Sequence, residues 1–147
     1  MRMPEVRGTI DILRPAKDVF AFMGDVKNNL EWETGVLEME YTTEGPVGVG
    51  SKGRRVENYM GRDEGTWEIT EYEENKRVAI VFESQKTHGN GSWELEANDG
   101  GTRFSYRFNG TPRNPLWKLI MPIMMPMMRR SFNRNYGNLK RILESQG

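Results

Sequence analysis

His88 is the only histidine in the chain, and there is no cysteine. It is therefore the one side chain whose ordinary pKa suits proton transfer near neutrality. Counting along the strand that carries Trp93 and Leu95 puts His88 on the opposite parity, at the strand's start. A surface or loop role is expected for it ahead of a general acid–base role. A transition-metal site normally gathers several nitrogen or sulfur ligands, so no metal is expected. Ser131 has no partner histidine in any sensible register, and a hydrolase triad has no support. Gly48-Val49-Gly50-Ser51-Lys52-Gly53 spells the dinucleotide fingerprint, but that motif works only between a strand and a helix. Here Arg54 to Tyr59 reads as a strand, so the glycines read as a loop and no cofactor is expected.

What remains is a set of large apolar side chains and the elements that must hold them. The 147 residues suit one domain that buries a core without disulfides. Residues 1–147 are accordingly read as a single domain, in a reducing, cytoplasmic setting. Twenty-one basic side chains balance twenty-one acidic ones. That balance disfavours a nucleic-acid partner, whose affinity rests on a basic surplus. Monomer and homodimer both stay open. Of ten methionines, five lie between Met121 and Met128, and methionine suits surfaces that repack around varied shapes.

Val6, Gly8, Ile10 and Ile12 alternate with polar neighbours as a first strand does. A short helix over Ala16 to Met23 and a second helical piece around Val26 to Trp32 follow. From Val36 to Asn109 the pattern has period two, broken by turns. A turn at Met60-Gly61 predicts Val56 and Trp67 on one face, with Arg54 and Asn58 also inward. The turn Glu73-Glu74-Asn75-Lys76 predicts Ile69 opposite Ile80 and Trp67 opposite Phe82. The turn Asn98 to Gly101 predicts Leu95 opposite Phe104 and Trp93 opposite Tyr106, with Phe108 facing Gly91. One face is then apolar and the other charged, as an antiparallel meander requires.

Asn114-Pro115 is a good helix start. Leu116 to Met128 is apolar nearly all round, too short to span a bilayer, and interrupted by Pro122 and Pro126. A kink, or a short helix and then a longer one from about Pro126, is expected there. Beyond Arg129, Phe132, Tyr136, Leu139, Ile142 and Leu143 form one stripe. Arg129, Arg130 and Arg134 read as a solvated face, or alternatively as a basic rim that meets anionic lipid.

Several segments together resemble one family. Ile10-Asp11-Ile12 with Pro15 to Phe22, Asp25, Asn28 and Trp32 is similar to the N-terminal signature of the polyketide cyclase/dehydrase branch of the START-like (SRPBCC) superfamily. Gly48 to Ser51, Trp67 to Tyr72 and Asn138 to Glu144 resemble it as well. The resemblance implies an α+β helix-grip fold of the birch-pollen-allergen type. That is a curved seven-stranded antiparallel sheet around a long C-terminal helix, with two short helices between the first two strands. It also implies a hydrophobic cavity between sheet and helix, and no fixed catalytic set.

The sheet's expected contribution to that cavity is Val56, Asn58, Trp67, Ile69, Ile80, Phe82, Trp93, Phe104, Tyr106 and Phe108. The helix would contribute Ile120, Met124, Met127 and Met128, with Leu116 to Met128 acting as an adaptable lid. The favoured ligand is an apolar small molecule: lipid-like, polyketide or another aromatic metabolite. A cyclase or dehydratase would use the same cavity, with Tyr59, Tyr106, Arg54 or His88 moving protons. A lipid carrier would dock on membranes through the methionine-rich segment.

Overall fold

The computed structural model describes residues 5–59 and 61–146. Strand β1 (Glu5–Ile12) leads into helix α1 (Ala16–Gly24), a single 3-10 turn (Val26–Asn28) and the one-turn helix α2 (Asn29–Trp32). Six strands follow: β2 (Val36–Tyr41), β3 (Lys52–Asn58), β4 (Arg62–Glu73), β5 (Arg77–Ser84), β6 (Thr87–Asn98) and β7 (Gly101–Pro112). Helix α3 (Pro115–Ser145) closes the chain. The strands form one antiparallel sheet in the order β1-β7-β6-β5-β4-β3-β2. This is the expected helix-grip arrangement, an open curved sheet with its long helix on the inner face.

Turn chemistry sets the register. Asp99 and Gly100 both have positive φ and join β6 to β7 through a two-residue turn, which matches the twist of the strands. Leu95 then faces Phe104, Trp93 faces Tyr106 and Gly91 faces Phe108, as the sequence predicts. Between β4 and β5 the connection is one residue longer than a two-residue turn, because Glu73 pairs with Arg77. An extra residue at Thr70 compensates as a bulge, so Ile69 still meets Ile80 and Trp67 still meets Phe82.

The β3–β4 hairpin has no such compensation, and the expected register fails there. Asn58 pairs with Arg62, leaving three connecting residues rather than two; Met60, half of the expected turn, lies outside the described residues. A one-residue slip exchanges the two faces of a strand. Gly53, Arg55 and Glu57 therefore share the inner face with Trp67, while Arg54, Val56 and Asn58 face outward. Val56 is nonetheless fully buried. Its cross-strand neighbours Glu38 and Glu64 both bind the Arg54 guanidinium.

Three inner-face glycines lie opposite large rings: Gly8 under Tyr106, Gly53 under Trp67 and Gly91 under Phe108. A Cβ at any of the three would collide with the ring. Without it, the ring lies flat against the neighbouring strand and leaves room above the sheet.

Helix α3 is continuous through Pro122 and Pro126, so of the two expected outcomes the division into two separate helices does not occur. Asn114 caps it, its side chain accepting from the Leu116 N–H at 3.0 Å. The two prolines cannot donate to the Lys118 and Pro122 carbonyls. Both prolines are exposed, so those carbonyls are open to water. The C-terminal half packs Tyr136, Leu139 and Leu143 onto Ile12, Phe104 and Trp32, all fully or almost fully buried. Arg14 ties the same end down by donating to the Leu143 carbonyl at 2.8 Å.

Candidate functional site

The inner face divides into a closed part and an open part. Beneath the C-terminal half of α3, Tyr106 stacks on Tyr136 at 3.9 Å between ring centres, and Phe104 lies 5.6 Å from Tyr136. Tyr106 donates to Asn133 Oδ1 at 3.1 Å and Trp93 Nε1 donates to Tyr136 Oη at 2.9 Å, which satisfies these buried polar ends. Phe104 and Tyr106, expected as cavity lining, are thus closed core.

Further along the sheet a second cluster gathers Trp67 and Ile69 with Val26 from the 3-10 turn. Met39, Tyr41, Ile80 and Phe82 pack against it yet remain partly exposed, although register places them on the inner face. Phe108 and Phe132, 5.5 Å apart, connect this region to α3, and Phe82 continues the chain of rings at 6.5 Å from Phe108. From the helix side, Met121, Met125 and Met128 face inward. Of the residues expected to line a cavity, Ile80, Phe82, Phe108 and Met128 stand partly exposed in this open region, Trp67 and Ile69 are buried at its base, Trp93 bridges it to the closed part at 5.3 Å from Phe108, and Met124 is partly buried beside it. Ile120 and Met127 do not belong to it: both are exposed on the far side of α3. Met121 and Met125 hold the inward positions instead, because they continue backward, in steps of three and four, the Phe132–Tyr136–Leu139–Leu143 stripe.

Polar groups stand at one edge of the open region. Arg55 meets Glu33 at 2.6 Å and Glu57 at 2.9 Å, with about a quarter of its side chain exposed. Burial alone would lower the Arg55 pKa, but the two carboxylates hold it above the ordinary arginine value. Glu33 also accepts from Asn29 Nδ2 at 3.1 Å, and Asn135 Oδ1 accepts from the Thr34 N–H at 3.2 Å. Tyr59 lies on Gly35 and hydrogen-bonds with Asn135. Burial and the nearby Glu33 raise its pKa. Tyr41, which donates to the Gly24 carbonyl at 2.8 Å, is pushed up to about 12, chiefly by burial. Trp67 Nε1 is a buried donor with no partner among the described residues.

Two of the four candidates for proton transfer lie elsewhere. His88 is exposed on the outer face, paired in register with Glu83 and Thr111. Arg54 is held on that face by Glu38, Glu40 and Glu64. A broad open concavity of about 870 Å³ crosses β3–β6 near His88. Lys52, Glu68, Glu83 and Arg113 on its rim give it a charged character unlike the inner face.

Seven antiparallel strands gripping a C-terminal helix, with an inner face that the helix covers only in part, define the helix-grip class of α+β folds. The sequence matches the family described as polyketide cyclase / dehydrase and lipid transport over residues 3–144, and the chain belongs to that family. No curated protein matches it. Among solved structures it is similar to a protein of Thermus thermophilus, with TM-score 0.83 and 19% identity over 98% of this chain and 99% of that one. It is also similar to the Zhui aromatase/cyclase of a Streptomyces species, strain R1128, with TM-score 0.80 and 15% identity over 97% and 94% of the two chains. A conserved protein of Geobacillus kaustophilus gives TM-score 0.81 and 11% identity, covering 97% and 96%. At these identities the likeness is one of fold.

Proposed function

We propose that the chain binds an apolar small molecule, lipid-like, polyketide or another aromatic metabolite, between the open half of the inner face and the methionine side of α3. The observation that carries this reading is the contrast in burial on one face of one sheet. Rings under the C-terminal half of α3 are sealed, whereas Met39, Ile80, Phe82, Phe108 and Phe132 point inward and still meet solvent. Apolar surface of that kind is normally covered by something. The unpartnered Trp67 Nε1 supplies a donor for one carbonyl or hydroxyl on the ligand. Thermal-shift and native mass spectrometry against lipids and polycyclic aromatics test this. At least one class should be retained and raise Tm, and Phe82→Asp should abolish both effects. A protein that neither retains nor is stabilised by any member overturns the reading.

The family description and the Arg55–Glu33–Glu57 cluster favour a second reading, in which the same region folds a reactive polyketide and shifts protons. Its residues would be Arg55 and Tyr59, since His88 and Arg54 face away. Poly-β-ketone mimics incubated with wild type, Arg55→Met and Tyr59→Phe separate the two. Identical product profiles remove the enzyme reading and leave binding.

A further inference from the structure

The outward face of α3 carries a feature that the inner-face ligand does not use. Leu116, Leu119, Ile123 and Met127 fall on one side of the helix, opposite the buried Met125, and are 68%, 76%, 77% and 66% exposed. This is the helical spacing of an amphipathic stripe, but turned away from the protein. Charge is arranged around it in one sense. From Gly100 to Leu143 the chain holds nine Lys and Arg and not one Asp or Glu, although the whole sequence is neutral. Arg103, Arg107, Arg113 and Lys140 of that set are paired with carboxylates. Arg130 and Arg134 fall on the stripe's side of the helix, while Lys118 and Arg129 fall on the flank nearer Met125; none of the four has a carboxylate partner among the described residues.

We infer that this face docks in the interface of an anionic lipid bilayer, the apolar stripe entering the headgroup region and Arg130 and Arg134 on the same side meeting lipid phosphates. A helix with bulky apolar side chains on one face, flanked by uncompensated Lys and Arg, binds such a surface through buried apolar area and charge together. A second copy of the chain fits less well, because pairing these faces sets like charge against like charge. The bilayer would contact the half of α3 that borders the open inner face, so docking and ligand exchange would share one end of the molecule. The docking itself does not depend on which ligand is bound.

Vesicle co-sedimentation tests it without any small-molecule ligand. Vesicles of phosphatidylcholine alone are compared with vesicles carrying roughly one-third phosphatidylglycerol. Wild type should sediment with the anionic vesicles and not with the neutral ones, and about 0.5 M salt should release it. Leu119→Ser with Ile123→Ser, and separately Arg130→Glu with Arg134→Glu, should each weaken binding about tenfold or more at unchanged Tm, since these side chains are exposed. Equal binding to neutral vesicles, no binding at all, or full binding by the double-serine variant overturns the inference. Sedimentation equilibrium showing a dimer that the double-serine variant dissolves assigns the face to a second copy and overturns it too.

Discussion

Helix α3 does two different jobs along its length. From Phe132 to Leu143 its apolar residues keep to one stripe, and that stripe is sealed against Ile12, Trp32 and Phe104. From Leu116 to Met128 the helix is apolar nearly all round. Its inward methionines meet rings that stay half-buried, and its outward leucine and isoleucine side chains are largely exposed. The sheet below divides the same way, closed under the first of these segments and open beside the second. Stability is therefore concentrated in one half of the helix and surface available to ligands in the other.

Truncation in each half should expose that contrast most visibly. Leu139→Ala removes a fully buried side chain and should cost about 2–5 kcal/mol by denaturant unfolding. Leu119→Ala, at 76% exposure, should change stability by less than about 0.5 kcal/mol. Similar losses at both positions would mean that the N-terminal half is packed after all.

The two faces of β3 give the next contrast. Arg55→Met strands Glu33 and Glu57 and should cost about 2 kcal/mol, the partial exposure of the cluster moderating the loss. Arg54→Met, on the wet face, should leave the unfolding midpoint nearly unchanged. The opposite order would restore the register read from a two-residue turn.

A smaller effect lies at alkaline pH. All five tyrosines have raised pKa values, with burial the leading cause in each. A raised pKa means that the folded state keeps its proton while the unfolded chain loses it. The tyrosine contribution to stability is therefore constant below pH about 10 and falls above it. For Tyr41 the fall continues to about 12 and amounts to roughly 1 kcal/mol after allowance for its partial exposure. Tyr41→Phe should flatten that slope. In an ultraviolet titration, Tyr136 in the closed half should ionise after Tyr59, which is 46% exposed.

Much of this was legible in the residues themselves. The β6–β7 pairing followed from Asp99-Gly100, and the aromatic face from period-two alternation. The β4–β5 pairing came out right because the Thr70 bulge cancels the longer turn, a compensation that no spacing in the sequence displays. The β3 register was lost for the same reason reversed, since the third connecting residue there has no bulge to offset it. That single residue exchanged Arg54 for Arg55 as the inward cation. On α3, a segment apolar on every side has no phase of its own, so Ile120 and Met127 could not be told from Met121 and Met125 locally. Extending the Phe132–Leu143 stripe backward would have set the phase. The helix is not divided in two at the prolines because Pro122 and Pro126 both lie on the exposed side, where water can take the carbonyls they leave unpaired.

Methyl NMR of the methionines, during titration with a ligand that raises Tm, tests the central claim most directly. If an apolar molecule occupies the open half of the inner face, the methyl signals of Met39, Met121 and Met128 shift together and saturate with the ligand. Met127, on the far side of α3, stays in place. Shifts confined to Met127, or none at all at saturating ligand, would contradict the account.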